Sequence, residues 1–213
     1  MSGILDLLNS DLGKQIVSGV AGSTGNDSSK TSSVLTMALP LLMKGMERNA
    51  ATPEGAAGLM NALNNKHDGS ILNNLSGLFD GGVDETVKQD GAGILGHILG
   101  AKQSGVEQVI GQKSGLDASS VSNILKIAAP LVMGYLGKEK QSKDLSNSGG
   151  LTSLLGGMLG GNDTKSEQNF LEQILDSDGD GSVVDDVAGM LLGGSKNSSG
   201  SGIGGMIGGL FGK

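Results

Sequence analysis

Val34-Leu35-Thr36-Met37-Ala38-Leu39-Pro40-Leu41-Leu42-Met43 is answered ninety residues later by Ile124-Leu125-Lys126-Ile127-Ala128-Ala129-Pro130-Leu131-Val132-Met133. Both runs are apolar nearly all round, as a helix buried on most sides must be, and both carry a proline at the same place. The offset extends outward without a gap. Gly3-Ile4-Leu5 falls on Gly93-Ile94-Leu95, Gly25 on Gly115, Asp27 on Asp117, Ser32 on Ser122 and Leu35 on Leu125. A match of this kind is the signature of an internal duplication, and it predicts an all-α helical bundle.

Each copy reads as three helical pieces. The first is short, Ile4 to Leu8 and Ile94 to Leu99. The second places Ile16, Val17 and Val20, or Val106, Val109 and Ile110, at helical spacing and stops at Gly25 or Gly115, residues suited to a left-handed cap. The third opens after SSKTSS (28–33) or DASSVS (117–122), rich in N-capping side chains. Pro40 and Pro130 remove an amide donor and crowd the carbonyl four residues back, so each is expected to kink its helix as a packing feature. Between the copies, Thr52-Pro53-Glu54 starts a helix to about Leu63, with Thr as N-cap and Pro at the first helical position. A further short helix spans Ser70 to Phe79 and ends at Gly81-Gly82.

Composition limits the chemistry. Glycine supplies 39 of 213 residues, against three Phe, one Tyr, no Trp and no Cys. With only three Pro and no Gly-X-Y period, collagen is excluded. The core is left to Leu, Ile, Val, Met and Ala. A net charge of −7 argues against binding a phosphate backbone, and four aromatics leave little platform for stacking bases. The lack of cysteine removes disulfides, thiolate ligands and a thiol nucleophile. MSGILDLLNSDLGK has no basic n-region, so no signal peptide is read. No window approaches about 18 uninterrupted apolar residues, so no transmembrane segment is expected. These features place the chain in the cytoplasm by default, with the periplasm as the alternative.

GILDLLNSDLGKQI (3–16), SSVLTMALPLLM (32–43), TPEGAAGLMNAL (52–63), KHDGSIL (66–72) and DGAGILGHILG (90–100) together resemble the bacterial family catalogued as domain of unknown function 937. The resemblance covers roughly residues 1–140. It implies an all-α domain and supplies no activity, substrate or catalytic residue.

The remainder divides by composition. The duplicated bundle takes residues 1–140, and the polar stretch KEKQSKDLSNSGG (138–150) reads as a loop at its boundary. A Gly/Leu-rich linker or short helix follows over 141–165, a helix–acidic loop–helix over 166–194 and a flexible Gly-rich apolar tail over 195–213. Asp176-Ser177-Asp178-Gly179-Asp180-Gly181-Ser182 delivers three carboxylates and then turns at Gly181 to present the Ser182 carbonyl, the arrangement that oxygen-seeking Ca²⁺ prefers. An EF-hand closes with a bidentate Glu at its twelfth position; here that position is Val187, so Asp185 or Asp186 must close the loop. The pattern resembles shortened, dockerin-like loops, and weak, structural calcium binding through Asp176, Asp178, Asp180, Ser182, Asp185 and Asp186 is expected. The alternative is a turn without an ion, because Asp and Gly are good turn formers.

Other chemistry is sparse. His67 and His97 have no partner set; His97 falls on Leu7 of the first copy, and His67 is expected to be solvated beside a capping Asp68 or Ser70. Lys138, Lys140 and Lys143 read as a solvated loop. No nucleophile elbow and no phosphate-binding loop is present. Leu151, Leu154, Leu155, Met158 and Leu159 form a helical stripe interrupted by Gly156-Gly157. Ile203, Met206, Ile207, Leu210 and Phe211 repeat that scheme, and the segment would fold on docking to its own bundle, another copy, another protein or lipid. The expected function is therefore a non-enzymatic helical binding or structural module with a calcium loop, its partner a protein or a second copy. The alternative is a plug-like or regulatory accessory of a larger bacterial assembly such as a secretion translocon.

Overall fold

The computed structural model describes residues 4–159, which are α-helices and short 3-10 turns with no strand among them. The helices are α1 (Ile4–Asn9), α2 (Asp11–Thr24), α3 (Ser28–Ala50), α4 (Pro53–Asn65), α5 (Leu75–Phe79), α6 (Glu85–Leu99), α7 (Gln103–Ser114), α8 (Ala118–Ser142) and α9 (Ser148–Leu159).

Caps set the boundaries. The Asp27 carboxylate accepts from the backbone amides of Ser29 and Lys30 at the start of α3. Asp117 accepts from the Ser120 amide at 2.9 Å and the Ser120 hydroxyl at 2.8 Å at the start of α8. Those bonds favour the charged carboxylate and hold the Asp117 pKa at about 2. α2 and α7 end at Gly25 (φ 66°) and Gly115 (φ 69°), whose left-handed backbone a side chain would strain. Thr52 caps α4, its hydroxyl accepting from the Gly55 amide at 3.1 Å.

α3 and α8 are the long central rods. Leu35, Leu41, Leu42 and Met43 of the first, and Ile124, Leu125, Ile127 and Leu131 of the second, are at most 1% exposed. Each such side chain contributes about 1.5–3 kcal/mol of transfer free energy. Pro40 and Pro130 lie buried inside helices that continue past them for a further ten and twelve residues. α2 packs on α3 and also on α8; α7 packs on α8 and also on α3. α6 lies along α8 with almost no separation at Gly91, where a Cβ would come within 1.8 Å of the Lys126 carbonyl oxygen. Gly137 of α8 lets the His67 backbone approach equally closely, with the carbonyl oxygen 1.9 Å from where a Cβ would stand.

Two segments differ from the sequence reading, and a third takes one of the two forms that reading allowed. α8 does not end in a loop at Lys138 but continues to Ser142, because Lys140 buries its stem and donates to Asn64 Oδ1 at 2.6 Å while Lys143 pairs with Glu139 at 2.9 Å. α6 begins at Glu85, nine residues before Ile94, its polar opening residues carried on an amphipathic face. α9 is a helix in spite of its glycines, since Leu151, Leu154, Leu155 and Met158 are buried against α3 and α4. α8 is also the single described helix long and apolar enough to cross a membrane, but its most apolar window is 72% buried among the other helices, as befits a core rod.

Candidate functional site

α4 and α6 both rest on the two rods and flank an open groove of about 900 Å³. They run antiparallel. At one end Asn49, just before α4, donates from Nδ2 to the His97 carbonyl near the end of α6 at 2.8 Å. At the other end Lys66 bonds Asp90, earlier on α6. The floor is Met46 of α3 and Met133 of α8, both buried. Leu59 and Ala62 project from the α4 wall and Ile94 and Ile98 from the α6 wall, all half-exposed. Met46, Leu59, Ile94 and Ile98 also belong to or pack on the main hydrophobic core, so the groove is an open face of that core. Polar groups stay on its rim: Glu54, Thr86, Gln89 and His97.

Two wall residues have no internal explanation. A Cβ built on Gly58 of α4 or Gly93 of α6 meets nothing within 4 Å. A helix-interior glycine costs about 1 kcal/mol relative to alanine. Gly91 offsets that cost by close packing on α8; Gly58 and Gly93 offset it with nothing in residues 4–159.

His67 is buried, 5% exposed, and not solvated. Its amide closes α4 by donating to the Ala62 carbonyl, and the Gly137 contact above carries it into the interior. Its Nε2 lies 3.6 Å from Asp90 Oδ2. Burial lowers its pKa below the ordinary value; the Asp90 charge opposes that shift and Lys66 adds to it. A neutral imidazole facing a lysine-paired carboxylate closes the groove's end. The neighbouring Asp68 caps the 3-10 turn Ser70–Asn74, accepting from the Ser70 amide at 3.0 Å. His97 is exposed on the rim although the offset places it on buried Leu7.

Asp176, Asp178, Asp180, Ser182, Asp185 and Asp186 lie outside the described residues, as do residues 195–213. Among the described residues no group of three or more His, Asp or Glu is placed to hold a metal. The groove escaped the sequence reading because it is made where four separate helices meet. The available signal was local: Gly58 and Gly93 interrupt otherwise good helices beside apolar neighbours.

Among the described residues these features define an all-helical bundle with an open interhelical groove. The chain belongs to a family described as bacterial proteins of unknown function (DUF937), whose model matches residues 6–139, a span that contains every residue of the groove. Neither the curated proteins nor the solved structures contain a match to it.

Proposed function

We propose that this chain is a non-enzymatic helical binding module, built from two copies of a three-helix unit, whose α4–α6 groove receives an apolar helix of a protein. The observation that carries it is the pair of walls held apart over a methionine floor, each with half-exposed aliphatic side chains and a glycine facing open space. An amphipathic helix laid in such a groove places i, i+3, i+4 and i+7 side chains on the floor, and glycine walls let its backbone come close. Methionines suit the role because their unbranched side chains repack around different occupants. Support for the duplication comes from matched features ninety residues apart: the caps Asp27 and Asp117, the left-handed Gly25 and Gly115, the buried Pro40 and Pro130, and the way α2 and α7 each bridge both rods.

The test is a photoreactive benzoyl-phenylalanine placed at Gly93 in the full chain inside its native cells, with the same probe at exposed Ser29 as the comparison. Discrete, saturable protein adducts from Gly93, lost when Ile94→Glu is added, are expected. Equal diffuse labelling from both positions would rule out the groove as a docking site. The acidic loop from Asp176 to Asp186 is proposed to hold a structural Ca²⁺, on the strength of its carboxylate spacing. Millimolar Ca²⁺ then raises the melting temperature and Asp178→Ala abolishes the rise; a melt indifferent to both would remove the ion from the account.

A further inference from the structure

The groove needs a helix with an apolar face, small residues and little charge, and this chain carries one outside the described residues. We propose that the occupant of the α4–α6 groove is the chain's own segment Ile203–Phe211, docked as a helix; the inference rests on reading the groove as a receptor for a helix.

α9 supplies the precedent. Leu151-Thr152-Ser153-Leu154-Leu155-Gly156-Gly157-Met158-Leu159 and Ile203-Gly204-Gly205-Met206-Ile207-Gly208-Gly209-Leu210-Phe211 place apolar residues at the same five positions and share the second glycine pair. In α9 that pattern forms a helix whose stripe is buried on α3 and α4. The second segment carries the same stripe, and the groove on the other side of α4 leaves Leu59, Ile94 and Ile98 half-covered.

Size, packing and charge agree. The walls extend from Glu54 to Lys66 and from Thr86 to Ile98, thirteen residues each, or about 18 Å at helical rise. The nine-residue segment spans about 12 Å, shorter than either wall. Gly204 and Gly208, and likewise Gly205 and Gly209, are four apart and line one helix flank each, which lets helix backbones approach closely. Gly58 and Gly93 offer the matching close approach on the walls. The segment has no acidic residue and is followed by Lys213, and the groove presents Glu54 together with an Asp90 already paired with Lys66. The competing apolar stripe around Leu171 and Ile174 is flanked by Glu167, Glu172 and Asp176, which Glu54 would repel.

Connection is no obstacle. α9 ends at Leu159 after lying against α3 and α4, with Gly156 near Glu47, one residue from the floor's Met46. Residues 160–202 then intervene. Even at helical rise this stretch covers about 65 Å, against about 40 Å for the diameter of a domain of this size. A tether of this kind gives an effective concentration on the order of mM, which holds a segment whose free peptide binds weakly. An outside helix must then displace it.

The absence of cysteine makes the experiment clean. A nitroxide is attached to the full chain through Ser201→Cys, and methyl spectra are recorded with Ile94, Ile98, Ile16 and Ile124 as probes. Ile94 and Ile98 are expected to lose most of their intensity, with Ile16 and Ile124 little changed. Ile207→Asp, made in the segment so that the bundle is untouched, should restore both signals. Uniform weak broadening of all four probes would overturn the inference. So would broadening that appears only on a second, unlabelled copy in a mixed sample. If the segment stays away while the photoprobe at Gly93 still captures a discrete protein, this inference falls and the groove keeps its function. If both fail, the groove itself is misread.

Discussion

Thr31→Val is expected to stabilise the protein. Thr31 is 0% exposed, and its Oγ1 is the single buried side-chain polar atom without a hydrogen-bond partner among the described residues. Other helical threonines here satisfy themselves: Thr36 Oγ1 donates to the Ser32 carbonyl at 2.9 Å and Thr24 Oγ1 to the Val20 carbonyl at 2.8 Å. A buried hydroxyl with no partner costs about 1–3 kcal/mol, while an apolar group of the same shape costs nothing comparable. Valine has the shape of threonine and nearly its helix propensity. The residue at the ninety-residue offset is Val121, itself 0% exposed, so the packing of that position already accepts valine in the other half of the chain. The net gain is about 1.5 kcal/mol, which raises Tm by roughly 3–6 °C for a chain of this length. Urea denaturation should show a higher midpoint with an unchanged slope. Thr36→Val, exposed, is the control and should stay within about 0.5 kcal/mol of wild type. A Thr31→Val midpoint at or below the wild-type value would mean that the hydroxyl is satisfied in solution and that the opening turn of α3 is not packed as described.

Gly93→Ala and Gly58→Ala should each stabilise the bundle by about 1 kcal/mol in denaturation. The same variants should bind their occupant less tightly, and a stabilised variant with undiminished binding would separate the glycines from docking. Gly91→Ala should do the opposite, costing about 3 kcal/mol by over-packing, because its methyl meets the Lys126 carbonyl, which is backbone and has nowhere to move. His67 gives a pH dependence. Its folded pKa lies below the unfolded value of 6.5, so the unfolded chain takes up the proton first. The contribution is fully present above pH 6.5 and is lost as pH falls below that value toward the folded pKa. His67→Gln should flatten stability between pH 7 and pH 5 in urea titrations; an unchanged slope would show that His67 is not buried neutral.

The rods were the most legible part of the chain, since Val34–Met43 and Ile124–Met133 are too apolar and too long to be anything but buried helix. Asp27, Thr52, Gly25 and Gly115 announced their caps because capping is local chemistry. The burial of Lys140 is not legible locally, because a lysine stem buries well when its ammonium finds an acceptor, and Asn64, its acceptor, is 76 residues away in sequence. The burial of His67 is hidden for a similar reason, since it depends on Gly137, seventy residues on, admitting its backbone. α9 was legible as a stripe but ambiguous as a helix, because its glycines weaken it and only α3 and α4 restore it. The groove lay beyond sequence reasoning altogether, being an unfilled space between elements rather than a property of any one.

The most direct measurement is a methyl–methyl NOE spectrum of the full chain with isoleucine, leucine and methionine labelled. Cross-peaks from Ile94, Ile98, Met46 and Met133 to methyls of Ile203, Ile207 or Leu210 are the predicted result. Groove methyls that see nothing beyond α3, α4, α6 and α8, with or without a captured partner present, would contradict a receptor for a helix.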